Sequence, residues 1–409
     1  MVTASLYIHI PFCKKKCDYC DFFSIGERDR RGKANDLSDS YINALITEAH
    51  VYARRYNISE WRTIYVGGGT PSLLSPAQLI RLISGVKSTA HTSERTEITV
   101  EMNPDDVCAE LLHACEKSGV NRLSMGIQAI DDRALRAVNR GATVAMIQNA
   151  LETLSVYWHG RLSVDFIAGL PNHTYASFKN QFDILKTYPG IDHVSLYTLT
   201  VEENTPLWKR IEDGSVAFSY EKADRMWLIG RNLLEQNGFL QYEVSNFAKP
   251  GAESRHNTTY WKQEDYIGVG AGATGTVYDF EKKSAERWTN TLSIPAYCAG
   301  VANAAHSDAS GALAHVKRSV ELLDEATLEF EFLMLGFRRC QGVSAREFER
   351  RFARPLAFRL GADKKDGVFS QWQKNRLATI KKTPDGDTIY SLNRRGILLL
   401  NRFLVELQS

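Results

Sequence analysis

Short apolar and β-branched runs recur through the first half of the chain, at Leu6–Ile10, Thr63–Val66, Glu97–Met102, Arg122–Ile127, Leu162–Ala168 and His193–Leu199. Each is brief and nearly continuous rather than alternating, the pattern of a strand covered on both faces. Between them apolar residues return at helical spacing, over Ser40–Tyr56, Pro76–Thr89, Asp105–Lys117, a region from Asp131 to Tyr157 broken near Gly141, and Tyr175–Thr187. Ser75 stands as an N-cap before a proline in the first turn, and Gly119 stands where the third helix should stop. Strand–helix alternation of this regularity predicts a parallel α/β sheet of six units. Periodicity alone does not separate an open doubly wound sheet from a partial barrel.

Beyond Thr200 the alternation ends. A long helix is predicted over Tyr220–Gln236, and residues 241–275 mix aromatics, glycines and one histidine in a stretch that reads as a loop, a lid or interdomain wall. Residues 284–311, rich in Ala, Ser and Asn, read as a connection, which divides the chain into 1–283, 284–311 and 312–409. The last part shows helical patterns at Glu325–Arg339 and Ser344–Phe352, a hairpin turning at Pro384, Asp385 and Gly386, and a final helix over Arg394–Leu407. Helices followed by a hairpin predict a winged-helix-like module. It carries no Lys/Arg stripe with base-reading polar residues, so protein contact or a lid role is expected and nucleic acid is not.

The 409 residues, 44% hydrophobic and 24% charged, have ordinary globular composition. A net charge of +2 gives no field that would draw nucleic acid or an anionic membrane. The first residues lack a basic, apolar leader pattern, and no apolar run approaches the roughly 18 residues of a membrane span, so a cytoplasmic protein is expected. Seven cysteines are an odd number, and Cys108, Cys115, Cys298 and Cys340 are scattered, which suits a reducing compartment.

The other three, Cys13, Cys17 and Cys20, share the run HIPFCKKKCDYCDFFS with spacing C-x3-C-x2-C. Three thiolates from one loop suit a cuboidal iron–sulfur cluster with one iron left open. Zinc is the rival, but it usually closes its shell with a fourth Cys or His, commonly as a second C-x2-C pair that this chain lacks. The spacing, with Tyr7, His9, Pro11, Tyr19 and Phe22 around it, resembles the signature of the radical S-adenosylmethionine (SAM) superfamily, and within it the coproporphyrinogen III oxidase-like branch. The resemblance covers residues 5–280 closely and the C-terminal part loosely. It implies a partial (β/α)6 barrel, a [4Fe-4S] cluster, SAM, and an external electron donor. It also implies radical chemistry in which an electron from the cluster cleaves the S–C5′ bond of SAM. No nucleophile elbow or HExxH suggests hydrolysis instead.

Gly67–Gly68–Gly69–Thr70 follows the second run directly and reads either as an ordinary tight turn or as a backbone cradle for a ligand. Glu101 and Gln128 end the third and fourth runs. Asp165 lies inside the fifth, where a carboxylate needs a partner, and Arg140 is a natural partner for a carboxylate of the protein or of a ligand. The resemblance implies that Tyr7, Gly68, Gly69, Thr70, Glu101, Gln128, Arg140 and Asp165 contact SAM.

Two departures weigh against the oxidase itself. Its signature has a further cysteine two residues after the third, where this chain has Phe22, and it has an N-terminal extension that is missing here. The run His256–Asn257–Thr258–Thr259–Tyr260–Trp261 instead resembles the HNxxYW motif of the heme chaperone family of the same branch. On chemistry alone His256 reads as a hydrogen-bonded structural residue or as an imidazole ligand to iron, with Tyr260 and Trp261 as stacking faces. The resemblance implies the second, with heme and recipient hemoproteins as partners. An enzyme, a chaperone and a cluster-bearing DNA regulator are the competing functions; peripheral membrane contact and a homodimer are left open.

Overall fold

The computed structural model describes residues 2–27, 38–304, 316 and 318–408. Six strands fall where the pattern placed them: β1 (Val2–Ile10), β2 (Ile58–Gly68), β3 (Glu97–Met102), β4 (Arg122–Gln128), β5 (Arg161–Ala168) and β6 (Ile191–Thr198). They pair in parallel and in chain order. The helices between them include α1 (Asp39–Arg55), α2 (Pro76–Lys87), α3 (Ala109–Ser118), α4 (Asp132–Ala137), α5 (Val144–Tyr157) and α6 (Tyr175–Asn180). Ser75 caps α2 in a reciprocal box with Gln78, and α3 stops on Gly119 in a left-handed conformation, φ 90°. The expected break near Gly141 separates α4 from α5, and the expected helix Tyr175–Thr187 is interrupted by a 3-10 turn at Gln181–Asp183.

Helix α7 (Pro206–Glu212) and the long α8 (Tyr220–Gln236) follow. The segment expected to be loop-like is not a loop. It contains β7 (Asn246–Ala248), α9 (Arg255–Trp261), β8 (Tyr266–Val269) and the start of β9 (Thr274–Asp279). Strand β8 pairs in parallel with β1, Leu6 opposite Ile267, and so adds a seventh parallel strand. The expected connection also differs. Its first residues are β10 (Ser284–Asn290), paired with β9 and with β11 (Arg318–Leu323), and α10 (Ile294–Ala304) packs against α1; residues 305–311 lie outside the described residues.

The sheet has 12 strands in the order β11-β10-β9-β8-β1-β2-β3-β4-β5-β6-β7, ending on Leu240–Gln241. Its two ends do not pair, so the barrel is partial. One continuous core fills the barrel and the layer under its helices. Glu48 of α1 is buried within it and accepts from Tyr297 Oη at 2.6 Å, Asn290 Nδ2 at 2.8 Å and Gly270 N at 2.9 Å, tying α1 to the sheet and to α10. A second core gathers α11 (Glu325–Phe337), α12 (Ala345–Phe352), the hairpin Ala378–Lys382/Thr388–Leu392 and the terminal helix Leu400–Gln408. Tyr278 of β9 and Ala285 of β10 belong to it, so the sheet extension is shared by both parts.

Candidate functional site

At the carboxyl ends of β2 to β6 a cavity of about 420 Å³ opens beneath the loop after β1. In parallel α/β architectures ligands gather at this end, because loops there can vary while the strands hold position. Cys13, Cys17 and Cys20 all line it, with Cys13 and Cys17 buried. The loop is pinned by its backbone: Gly69 N donates to Ile10 O at 2.8 Å, Ile25 N to Pro11 O at 2.8 Å, Asp18 N to Val138 O at 3.0 Å and Leu207 N to Asp18 O at 2.9 Å. Asp18 also pairs with Arg210 at 2.8 Å.

The glycines after β2 serve this loop. Gly68 has φ +109°, and a Cβ there would collide with the His9 ring. A Cβ on Gly69 would lie 2.7 Å from Phe12 O and 2.8 Å from Ile10 O and Phe12 N. The close approach is thus made by the cysteine loop's own backbone. His9 is buried, its Nε2 2.9 Å from Phe23 O and its Nδ1 2.9 Å from Tyr7 Oη.

Around the cavity the strand ends contribute polar groups. Thr70 Oγ1 donates to Cys13 Sγ at 3.4 Å and accepts from Asn103 Nδ2 at 3.2 Å. Arg140 donates to Asn103 Oδ1 at 2.7 Å, to Gly126 O at 2.6 Å and to Cys17 Sγ at 3.5 Å, and its Nε is buried with no partner. No ion pair between Arg140 and Asp165 occurs among the described residues; Asp165 accepts from Ser124 Oγ at 3.3 Å. Glu101 accepts from Tyr65 Oη at 2.7 Å and Gly68 N at 3.1 Å. Burial, reinforced by the nearby Asp165 carboxyl, pushes the Glu101 carboxyl up to about 7, and burial pushes Asp165 up to about 6. Gln128 holds a left-handed backbone, φ 69°, at an irregularity where β4 leaves the β5 register.

The structure therefore brings Cys13, Cys17, Cys20, Gly68, Gly69, Thr70, Glu101, Gln128, Arg140 and Asp165 to one cavity. Tyr7 does not line it; it sits inside the barrel beside His9, Tyr65 and His256. Asn103, Ser124 and Tyr197, which the sequence reading passed over, also line it. Asn103 and Tyr197 carry the signal that marked Glu101 and Gln128, a polar residue at a strand's carboxyl end, whereas Ser124 is the third residue of β4 and has no such mark.

The donor set suits an iron–sulfur cluster. Three thiols of one loop share a cavity wall, a cationic side chain and a hydroxyl already point at two of the sulfurs, and the orphaned Arg140 Nε marks room for another acceptor. Among the described residues no three His, Cys, Asp or Glu side chains are gathered tightly enough for a single ion.

The HNTTYW segment lies elsewhere, toward the amino ends of the strands. Glu97, the first residue of β3, anchors the first turn of α9 by accepting from His256 N at 2.9 Å and Arg255 N at 3.2 Å, and it pairs with the buried Arg122 at 3.1 Å. The His256 ring is 1% exposed, with Nδ1 2.7 Å from Thr63 Oγ1 and Nε2 2.8 Å from Tyr260 Oη, and it stacks on Tyr65. Both ring nitrogens are occupied, and burial lowers its pKa to about 3. Trp261 turns the other way, toward Arg338, whose guanidinium lies 4.5 Å from its ring centre. His256 and Tyr260 are thus hydrogen-bonded to each other, while Trp261 packs against Arg338.

A partial parallel barrel with three cysteines in the loop after its first strand defines the class of radical SAM proteins, and residues 7–185 match the model of the Radical SAM superfamily. The structure of coproporphyrinogen III oxidase from Escherichia coli, described as a radical SAM enzyme, shares the fold with a TM-score of 0.77 over 100% of this chain and 90% of that one, at 20% identity. The chain is 33% identical to the heme chaperone HemW of Lactococcus lactis over 85% of each chain, and 32% identical to that of Bacillus subtilis over 98% of this chain and 100% of that one. The chain belongs to the HemW family.

Proposed function

We propose that the protein is a heme chaperone. It holds a four-iron cluster on Cys13, Cys17 and Cys20 and SAM in the cavity beside it, binds heme, and passes it to recipient hemoproteins. The observation that carries this reading is similarity along essentially the whole chain to proteins named for that role, with the cysteine loop and its cavity intact. Once bound, the cluster would supply an electron to the sulfonium cofactor, fed by an external donor. The chain's own residues do the holding. Thr70 and Arg140 orient two sulfurs, and Glu101, Gln128 and Asp165 offer acceptors to a cationic ligand with amino and hydroxyl groups. Tyr7 acts one layer below, through His9, on the glycine turn.

No helix among the described residues is long and apolar enough to cross a membrane, and the cytoplasm is the compartment this reading implies. Anaerobically reconstituted protein, titrated with heme and assayed in parallel with coproporphyrinogen III, SAM and a reductant, tests it. A roughly equimolar heme complex without protoporphyrinogen is expected. Many turnovers of decarboxylation, or no heme binding, would overturn it.

A further inference from the structure

A second cleft, about 710 Å³, separates the barrel from the C-terminal part. That volume lies within the roughly 300–1,000 Å³ of ordinary ligand pockets. Tyr197 and Thr198 of β6 and Trp227 of α8 supply barrel residues to its lining; Leu398, Leu399 and Arg402 supply C-terminal ones. Tyr197, Thr198 and Thr200 line the cofactor cavity as well, so the two spaces adjoin. Large apolar side chains normally avoid water, yet here Tyr197 is 43%, Leu398 44% and Leu399 40% exposed, all toward one cleft. The spacing of its walls is set by ties between α8 and the C-terminal part: Arg394 pairs with Glu235 at 2.9 Å, and Arg231 Nη1 donates to Arg394 O at 3.0 Å.

The charges in the cleft are two arginines, Arg338 and Arg402, against one acid, Asp224. Arg402 is largely exposed and pairs with Glu406, its neighbour one turn on, at 2.7 Å. Arg338 is held differently. It lies over the Trp261 ring, its Nε is buried without a partner, and its nearest carboxylate, Glu243, is 3.9 Å away. Trp261, the last residue of the HNTTYW run, therefore aims a cation at the cleft rather than presenting a face of its own.

We propose that heme docks in this cleft, its macrocycle against Leu398, Leu399 and Tyr197 and its propionates toward Arg338 and Arg402, with Trp261 as the residue that positions Arg338. This rests on the heme-chaperone reading and places its ligand at the edge of the cofactor cavity. It gives the C-terminal part a role as one wall of the site. No His, Cys or Met lines the cleft, so affinity comes from the flat apolar body and the two carboxylates, not from an axial ligand.

The test uses the full reconstituted chain titrated with heme, with metal-free protoporphyrin IX, and with protoporphyrin dimethyl ester. Wild type should bind heme and protoporphyrin within a few-fold of each other and the ester about tenfold more weakly. L399E/R402E should weaken heme and protoporphyrin by about tenfold or more, with iron content, SAM retention and thermal midpoint unchanged. W261A should lose the preference for free acid over ester, and Trp261→Phe should restore it. Heme binding by wild type that L399E/R402E leaves within twofold, or failure of protoporphyrin to bind where heme does, would overturn the cleft assignment alone. If wild type binds no heme, the chaperone reading falls with it.

Discussion

At the scale of single residues, a β-carbon on Gly69 has nowhere to go, because the backbone of Ile10 and Phe12 already fills the place. Gly69→Val should therefore push the cysteine loop off β2 and cost iron and SAM together. Iron and sulfide analysis with SAM retention on the same sample checks this, and loss of SAM with full iron would point to a ligand cradle instead. Glu101 and Asp165 make a pH dependence. Both native values, about 7 and about 6, lie above those of free carboxylates. The native state therefore binds more protons than the unfolded chain between pH ~4 and ~7, and the stability tied to the protonated forms is complete below about pH 4 and lost as pH rises through 6 and 7. We expect the cluster-free protein to be on the order of 1–2 kcal/mol less stable at pH 8 than at pH 5 through this pair, less than full shifts would give, because both carboxyls face a cavity open to solvent. Thermal midpoints of wild type and Glu101→Gln at the two pH values measure it, the variant showing the smaller change. The three cysteines were legible because their spacing is local. Asn103, Ser124 and Tyr197 join them only when separate strands converge, and the burial of His256 depends on Thr63 and Tyr65 of β2, far away in sequence.

At the scale of elements, legibility followed length and punctuation. Helix α2 has Ser75, Pro76 and Gln78 in the order that starts a helix, and the side chains meet as that order implies. Ser75→Ala should cost about 1 kcal/mol, read as a lower denaturant midpoint with unchanged slope. Strand β8 had no such signal. It is four residues long, carries Gly268 within it and Gly270 directly after it, and follows a helix, α9, of seven residues. Its place is set by pairing with β1, some 260 positions earlier, and by Ser5 and Thr259, whose hydroxyls lie 2.9 Å apart. Strand β10 was hidden for a related reason, since alanine, serine and asparagine signal a connection until β9 and β11 are present to pair with it.

At the scale of the whole molecule, the parallel sheet was readable from alternation and its curling into a partial barrel only from the family resemblance, while the antiparallel extension that joins barrel and C-terminal part was not readable, because its strands are short and their partners non-local. The two cores meet along that extension, at Tyr278 and Ala285. The attachment of the cysteine loop has a further meaning. Its anchors are the backbone of β2, the α4–α5 junction, α7 and the Asp18–Arg210 pair, none of which needs iron. We expect the thermal midpoint of protein stripped anaerobically by a chelator to stay within a few degrees of the loaded form, unlike small metal-folded domains that collapse when emptied. Calorimetry of the two forms decides it, a large drop on stripping refuting it. To a cell meeting oxygen, the site is then a standing mould: damage empties it without breaking it, and repair is a matter of iron and sulfide supply rather than of making the protein again.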